Sequence, residues 1–244
     1  KVGRVKDIID NKQKSWPEAF YVLLCRSLGT GINSDSCERL ARSLPYTYLQ
    51  KHADNTRQLE AMLLGQGNLI EDETTRSEYE FLSAKFNLRP IVNCAWKHSK
   101  IRPVSSPRSR LKALSIIINR QPNLFSKILE CQDVKSLTKL LYVPNLLGAS
   151  TIGSIIINSV IPTIMAYGQW QEDLDLCERS IDMLEALPSE ANRYMEQWIS
   201  CGIPLRSALE SQAMLQLYKE YCEPHRCLKC RIGCWLMKQR NMII

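Results

Sequence analysis

From residue 16 onward, apolar residues recur every three or four positions, and proline or glycine interrupts each run. Phe20, Leu23, Leu24 and Leu28 form the first stripe, with the spacing of one helix face. Ser15, Pro17 and Glu18 precede it as capping residue, first-turn proline and capping-box acid, and Gly29 follows. Further helices are predicted over 34–44, 45–52 and 54–64, each opened by a capping residue or a proline. Gly65-Gln66-Gly67 reads as the close of the last of these. Residues 74–86 carry Tyr79, Phe81, Leu82 and Phe86, with acids early and Lys85 late, as the helix dipole prefers. Ser106-Pro107 opens a run through Ile118, and 125–141 reads as two shorter helices parted near Asp133.

Residues 140–171 contain no charged side chain. A run this long could span a bilayer, but Asn145, Ser150, Thr151, Ser154, Asn158, Ser159, Thr163 and the helix-bending Pro162 interrupt it, and mean hydropathy is −0.22. A central helix buried by its neighbours, with no membrane, is the expectation. Beyond Glu172, Leu174, Cys177, Ile181, Leu184 and Leu187 form one stripe; Pro188 stops it, Ser189 caps a helix through Trp198, and Pro204 opens another to Tyr221. Strand patterns are thin, and no self-similar repeat recurs at a fixed period. The predicted fold is all-α, an irregular multi-helix bundle forming one domain over 1–244, with candidate lobes 1–100 and 101–244 and a Cys-rich tail at 222–244.

Ten glycines in 244 residues is about 4%, below the average of about 7%, which argues against a sandwich or barrel of short strands. Apolar residues at 45% and charged residues at 23% exclude wholesale disorder. Lys1 opens directly into a charged segment without a signal peptide or an initiating methionine, so a cytoplasmic fragment of a longer protein is expected.

The net charge of +7 is unevenly placed. Lys85, Arg89, Lys97, Lys100, Arg102, Arg108, Arg110, Lys112 and Arg120 occupy a stretch with no acid, and Arg226, Lys229, Arg231, Lys238 and Arg240 follow Glu223 in another. Acid-free basic stretches favour a polyanion, because each Lys or Arg on a phosphate releases condensed counterions. Lys97, Lys100, Arg102, Arg108, Arg110 and Lys112 are therefore candidate phosphate-binding residues. Ser105 or Ser106 would cap a helix whose free N–H groups, ringed by Arg102, Arg108 and Arg110, form an anion pocket. One alternative is a solvated basic face paired with acids from elsewhere in the fold; another is a helical scaffold whose basic face meets an acidic protein.

Ten cysteines are present, and four of them, Cys222, Cys227, Cys230 and Cys234, are spaced C-x4-C-x2-C-x3-C. Cys25, Cys37, Cys94, Cys131, Cys177 and Cys201 are scattered in apolar stripes as small core residues. Without a mark of secretion, disulfides are disfavoured. Cys227 and Cys230 could place two thiolates on one ion, with Cys222 and Cys234 completing four ligands and His225 as a substitute. The expected cofactor is a structural zinc; a [4Fe–4S] cluster is the alternative.

Catalytic templates are missing: His52, His98 and His225 are far apart, and no H-E-x-x-H, G-x-S-x-G or Walker-type loop occurs. Val143-Pro-Asn-Leu-Leu-Gly148 resembles the hairpin of helix-hairpin-helix DNA glycosylases, although Asn145 takes a glycine position and the cysteine spacing differs from that family's C-x6-C-x2-C-x5-C. No complete catalytic site is legible.

Leu40-Ala-Arg-Ser-Leu-Pro45, Lys51-His-Ala-Asp through Leu64-Gly-Gln-Gly67, Arg102-Pro with Pro107 and Arg110, Ser207-Ala-Leu-Glu-Ser-Gln-Ala213 and Tyr221-Cys-Glu-Pro-His-Arg-Cys-Leu-Lys-Cys230 resemble the C-terminal region of a family of unknown function from Bacteroides-like bacteria. The resemblance spans almost the whole chain, which looks shorter than its relatives around Glu71–Thr75 and Tyr142–Leu147. It implies that longer members begin with a segment similar to PD-(D/E)xK nucleases, whose acids hold a divalent metal; this chain has none of that segment. A nucleic-acid-binding or positioning module beside a nuclease-like domain is the functional expectation, and a helical protein–protein interaction scaffold is its rival.

Overall fold

Proline, glycine and capping side chains divide the described residues into fourteen helices, and the fold is all-α. The computed structural model describes residues 1–10, 15–92, 95–99 and 102–240. Among the described residues there is no strand, only an isolated antiparallel bridge between Pro188 and Ser207. The helices are α1 (Val2–Asp10), α2 (Trp16–Leu28), α3 (Ser34–Ser43), α4 (Tyr46–Lys51), α5 (Thr56–Gln66), α6 (Glu73–Phe86), α7 (Pro107–Arg120), α8 (Leu124–Glu130) and α9 (Val134–Leu141). They continue with α10 (Ala149–Gln171), α11 (Leu174–Ala186), α12 (Arg193–Ser200), α13 (Ala208–Leu217) and α14 (Arg231–Arg240). The chain forms two compact units, residues 1–180 and 181–244.

In the first unit α2 is buried on nearly every side: Ala19 through Cys25, and Leu28, are all core residues. It packs against α3, α4, α7, α8 and α10, while α1 lies on α10 and α2. A second layer forms where α5 meets α6 and α7. Gly65 makes that approach possible, since a Cβ there would lie 2.1 Å from the Tyr79 ring. Gln66 follows with 1% exposure and ties three segments together. Its Nε2 donates to Ser43 Oγ at 2.9 Å and to Arg89 O at 2.8 Å, and its Oε1 accepts from Tyr79 Oη at 3.1 Å.

The uncharged run becomes α10, whose Ile152, Ile155, Ile156, Ile157, Val160, Ile161 and Ile164 are buried. By length and composition this helix could cross a membrane, and 61% of its most apolar window is buried within the protein. Ser159 and Thr163, also buried, donate to the carbonyls of Ile155 at 2.9 Å and Ser159 at 2.7 Å, so neither hydroxyl is left unsatisfied. A π-turn occupies Ile156–Val160. Pro162 causes it: with no N–H to give to Asn158 O, and a ring that crowds that carbonyl, the helix widens its register.

Several local expectations shift. Ser15 makes no side-chain cap bond, and the Glu18 carboxylate accepts the Tyr46 N–H at 2.8 Å across the core. Asn192, not Ser189, caps α12, accepting from Tyr194 and Met195 N–H. The helix assigned to Pro204 begins at Ser207, whose reciprocal capping box with Glu210 sets the start.

Candidate anion site and Cys-rich turn

The basic segment meets the fold at the start of α7. A 3-10 turn, Pro103–Ser105, leads into Ser106, whose hydroxyl accepts the Ser109 N–H at 3.2 Å. Pro107 fills the first helical position at no cost in hydrogen bonds. Arg110, one turn into α7, is 4% exposed. Its Nη1 donates to Leu146 O at 3.2 Å, and its Nη2 donates to Ser105 Oγ at 3.0 Å and Thr151 Oγ1 at 3.2 Å. Nε has no acceptor. Among the described residues no carboxylate pairs with this guanidinium, and burial pushes its pKa below the ordinary value.

Leu146 and Thr151 belong to the turn and helix start that follow α9. Val143 O accepts from Leu146 and Leu147 N–H, and Asn145 adopts the left-handed conformation at φ 60°, where a hairpin glycine would stand. Gly148 then opens α10 without a side chain to cap it. Gly148, Ala149 and Ser150 are exposed, so the first N–H groups of α10 border solvent. Arg110 thus lies between the N-terminal turns of α7 and α10, where both helix dipoles are positive.

The other candidate phosphate ligands have different fates. Arg108 pairs with Glu71 and, at 3.4 Å, with Asp72. Lys112 pairs with Glu60 at 2.9 Å. Both are therefore engaged by acids supplied from the α5–α6 layer, as the solvated-face alternative expects. Lys97 and Arg102 are exposed and have no ion-pair partner among the described residues. The backbone of Lys97 is held by Asn33, which donates to Lys97 O at 3.0 Å and accepts Lys97 N–H at 2.9 Å. Lys100 lies outside the described residues, as does Cys94. Thr151 is a partner of Arg110 that no sequence signal marks, because 41 residues separate the two.

In the second unit, α13 runs into a π-turn, Tyr218–Cys222, and His225 in the left-handed conformation reverses the chain. Cys227–Lys229 form a 3-10 turn, and α14 begins directly after Cys230. Cys222, Cys227, Cys230 and Cys234 are all free thiols; Cys230 is buried, Cys234 half-buried, and Cys222 and Cys227 exposed. Burial raises the Cys222 thiol above its ordinary pKa, and the neighbouring Cys230 and Cys227 add to the shift. Cys234 Sγ donates to Leu228 O at 3.0 Å. Among the described residues no three His, Cys, Asp or Glu side chains already converge as a metal shell. Of the scattered cysteines, Cys25, Cys37 and Cys131 are core residues, Cys177 is half-buried and Cys201 is exposed.

Neither the curated proteins nor the solved structures hold a match to this chain. A family model described as "Protein of unknown function (DUF2851)" matches residues 1–146 and 142–193. The two matched segments meet at 142–146, in the turn before α10, and the Cys-rich turn lies beyond them. With that model covering most of its length, the chain belongs to the DUF2851 family of proteins of unknown function.

Proposed function

We propose that this chain is a nucleic-acid-binding or positioning module that grips the sugar–phosphate backbone at the junction of α7 and α10. One observation carries the reading: a guanidinium 4% exposed, without a carboxylate, beside the positive ends of two helices. A buried charge is costly unless it is paired, and a phosphate is the counter-charge whose geometry suits a guanidinium and free helix N–H groups together. The exposed start of α10 supplies those N–H groups, and Arg102 and Lys97 are exposed and free to meet further phosphates. Contacts to the sugar–phosphate backbone carry no sequence information, so binding through this junction is largely independent of sequence. In longer proteins of the family the same module would hold nucleic acid for an adjoining nuclease-like segment.

The test is fluorescence anisotropy of labelled single- and double-stranded DNA and RNA at low salt, with the full chain. The expected result is binding that weakens as salt is added, is reduced by Arg102→Ala and Lys97→Ala, and is reduced most by Arg110→Gln. No change in anisotropy with any of the four probes sinks the proposal. So does equal displacement by an acidic protein, which would favour a helical interaction scaffold. One observation favours that second reading: Ile232, Trp235 and Leu236 stand exposed on α14.

A further inference from the structure

At the junction of α7 and α10, hydrogen-bond donors are left without acceptors. Thr151 stands at the third position of α10, where a helical hydroxyl can return its hydrogen to the carbonyl four residues back. Thr138 and Thr163 do this at 2.7 Å, and Ser159 does it at 2.9 Å. Thr151 does not: its Oγ1 is turned to Arg110 and accepts from Nη2 at 3.2 Å. Ser105 Oγ accepts from the same nitrogen at 3.0 Å. Among the described residues neither hydroxyl donates to another group, so each keeps a hydrogen to give.

The backbone adds three more donors. The N–H groups of Ala149, Ser150 and Thr151 precede the first intrahelical bond of α10, from Ile152 N–H to Gly148 O at 3.0 Å. Gly148 offers no side chain to cap them, and a Cβ placed there would meet nothing within 4 Å, so the space beside this turn is open. Arg110, 4% exposed, supplies positive charge through the two half-buried hydroxyls that it holds. A guanidinium that donates to a hydroxyl oxygen polarises it and strengthens the hydrogen bond it can give. Glu71 and Asp72, the acids that reach the start of α7, are taken up by Arg108.

From this donor set we infer that the junction selects a phosphomonoester, the terminal phosphate of a nucleic-acid strand, over an internal phosphodiester. The inference rests on the reading of the chain as a nucleic-acid-binding module and names the group that this site prefers. An internal phosphodiester has two charged oxygens, a single negative charge and a sugar on either side that holds it along the surface. A terminal phosphate has three such oxygens, carries nearly two negative charges at neutral pH, and is tethered on one side. It can therefore enter end-on, toward hydroxyls that are half-buried. The N–H groups at the start of α10 bond two of its oxygens, and the hydroxyls of Ser105 and Thr151 bond the third. Arg110 is a positioning residue that orients both hydroxyls and balances the incoming charge.

The test is fluorescence anisotropy with the full chain and one sequence of DNA and of RNA, single-stranded and annealed, labelled on an internal base. Each probe is prepared with a 5′-phosphate, with a 3′-phosphate and with hydroxyls at both ends. The expected result is about tenfold tighter binding of a phosphorylated form than of the hydroxyl form, the size of one hydrogen bond to a charged group. The phosphorylated form that gains identifies the end that is held. Ser105→Ala and Thr151→Val should each shrink that preference while leaving affinity for the hydroxyl form close to the wild-type value. Arg102→Ala should weaken every form and keep the preference. The two hydroxyl variants carry the test even if Arg110→Gln fails to fold. Equal affinity for all three ends overturns the inference and leaves the backbone-gripping reading in place. A preference that survives in both hydroxyl variants also overturns it, by placing the phosphate elsewhere. Binding of none of the probes overturns both the inference and the reading beneath it.

Discussion

Arg110 and Gln66 show how single side chains with the same degree of burial can have opposite meanings. Gln66 finds partners for both ends of its amide among Ser43, Arg89 and Tyr79, and so closes a polar cluster. Tyr79→Phe removes one donor from that cluster and is expected to cost about 0.5–1.5 kcal/mol in urea-induced unfolding. Arg110 has three oxygen partners but no negative charge. Arg110→Gln should therefore change intrinsic stability less than it changes ligand response. If the proposed binding holds, a saturating oligonucleotide should raise the melting temperature of the wild type by mass action and leave that variant nearly unmoved, as differential scanning fluorimetry would show.

Two buried tyrosines add a pH dependence. Burial raises Tyr46 and Tyr79 to about 12, against about 10 for an unfolded tyrosine. A phenol whose pKa is higher when folded keeps its full contribution below pH 10 and loses it as pH rises through 12. Unfolding free energy should accordingly be insensitive to these groups at neutral pH and fall between pH 10 and pH 12. Tyr46→Phe should flatten part of that decline; an unchanged slope in denaturant titrations at several pH values would contradict it.

Among elements, the α5–α6 pair depends on the missing side chain of Gly65. The ring atoms that a Cβ would meet lie at the base of the Tyr79 ring, 2.1–2.5 Å away, where the side chain has little freedom to yield. Gly65→Ala would raise helix propensity at a helical position, but overpacking should prevail, for a net loss of about 1–3 kcal/mol. Equilibrium unfolding of the variant decides between these two effects, and a gain in stability would mean that α6 can move aside.

The same element scale shows what periodicity leaves open. The break near Asp133 was legible because an aspartate three residues before Ser136 can make a capping box, and it does. The π-turn in α10 has its cause in Pro162, yet its position at Ile156–Val160 depends on packing around the helix. In α11, Leu174 belongs to the apolar stripe by spacing but is exposed, whereas Ser180 is buried and donates to Leu176 O at 2.9 Å. A stripe defines a helix face; the neighbours available to cover it define which residues on that face leave water.

For the whole molecule, the number of basic residues in the acid-free stretch overstates its free positive surface. Acids on α5 and in the turn before α6 engage Lys112 and Arg108, so that of the described candidate phosphate ligands Lys97 and Arg102 stay exposed and without an ion pair. Nucleic-acid affinity should thus fall with salt, by a logarithmic slope of about −0.9 per phosphate neutralised on duplex DNA. Arg102→Ala and Lys97→Ala should each make that slope shallower by about one unit. Lys112→Ala should leave it close to the wild-type value, because its charge is already matched by Glu60. A Lys112 variant with the largest change in slope would move the interface away from the α7–α10 junction.

Short-range periodicity, capping chemistry and spacing are enough to read the all-helical class, most helix positions, the burial of the central helix and the clustering of four cysteines along the chain. Tertiary structure alone decided which basic residues remain unpaired. Arg108 meets Glu71 and Asp72, and Arg110 meets Leu146 and Thr151, across 36 to 41 residues of chain. No local pattern encodes such meetings; they arise where the packed helices carry the side chains. It likewise decided that Glu18 caps a distant helix and that Gly65 must be small, since both depend on how closely two helices approach.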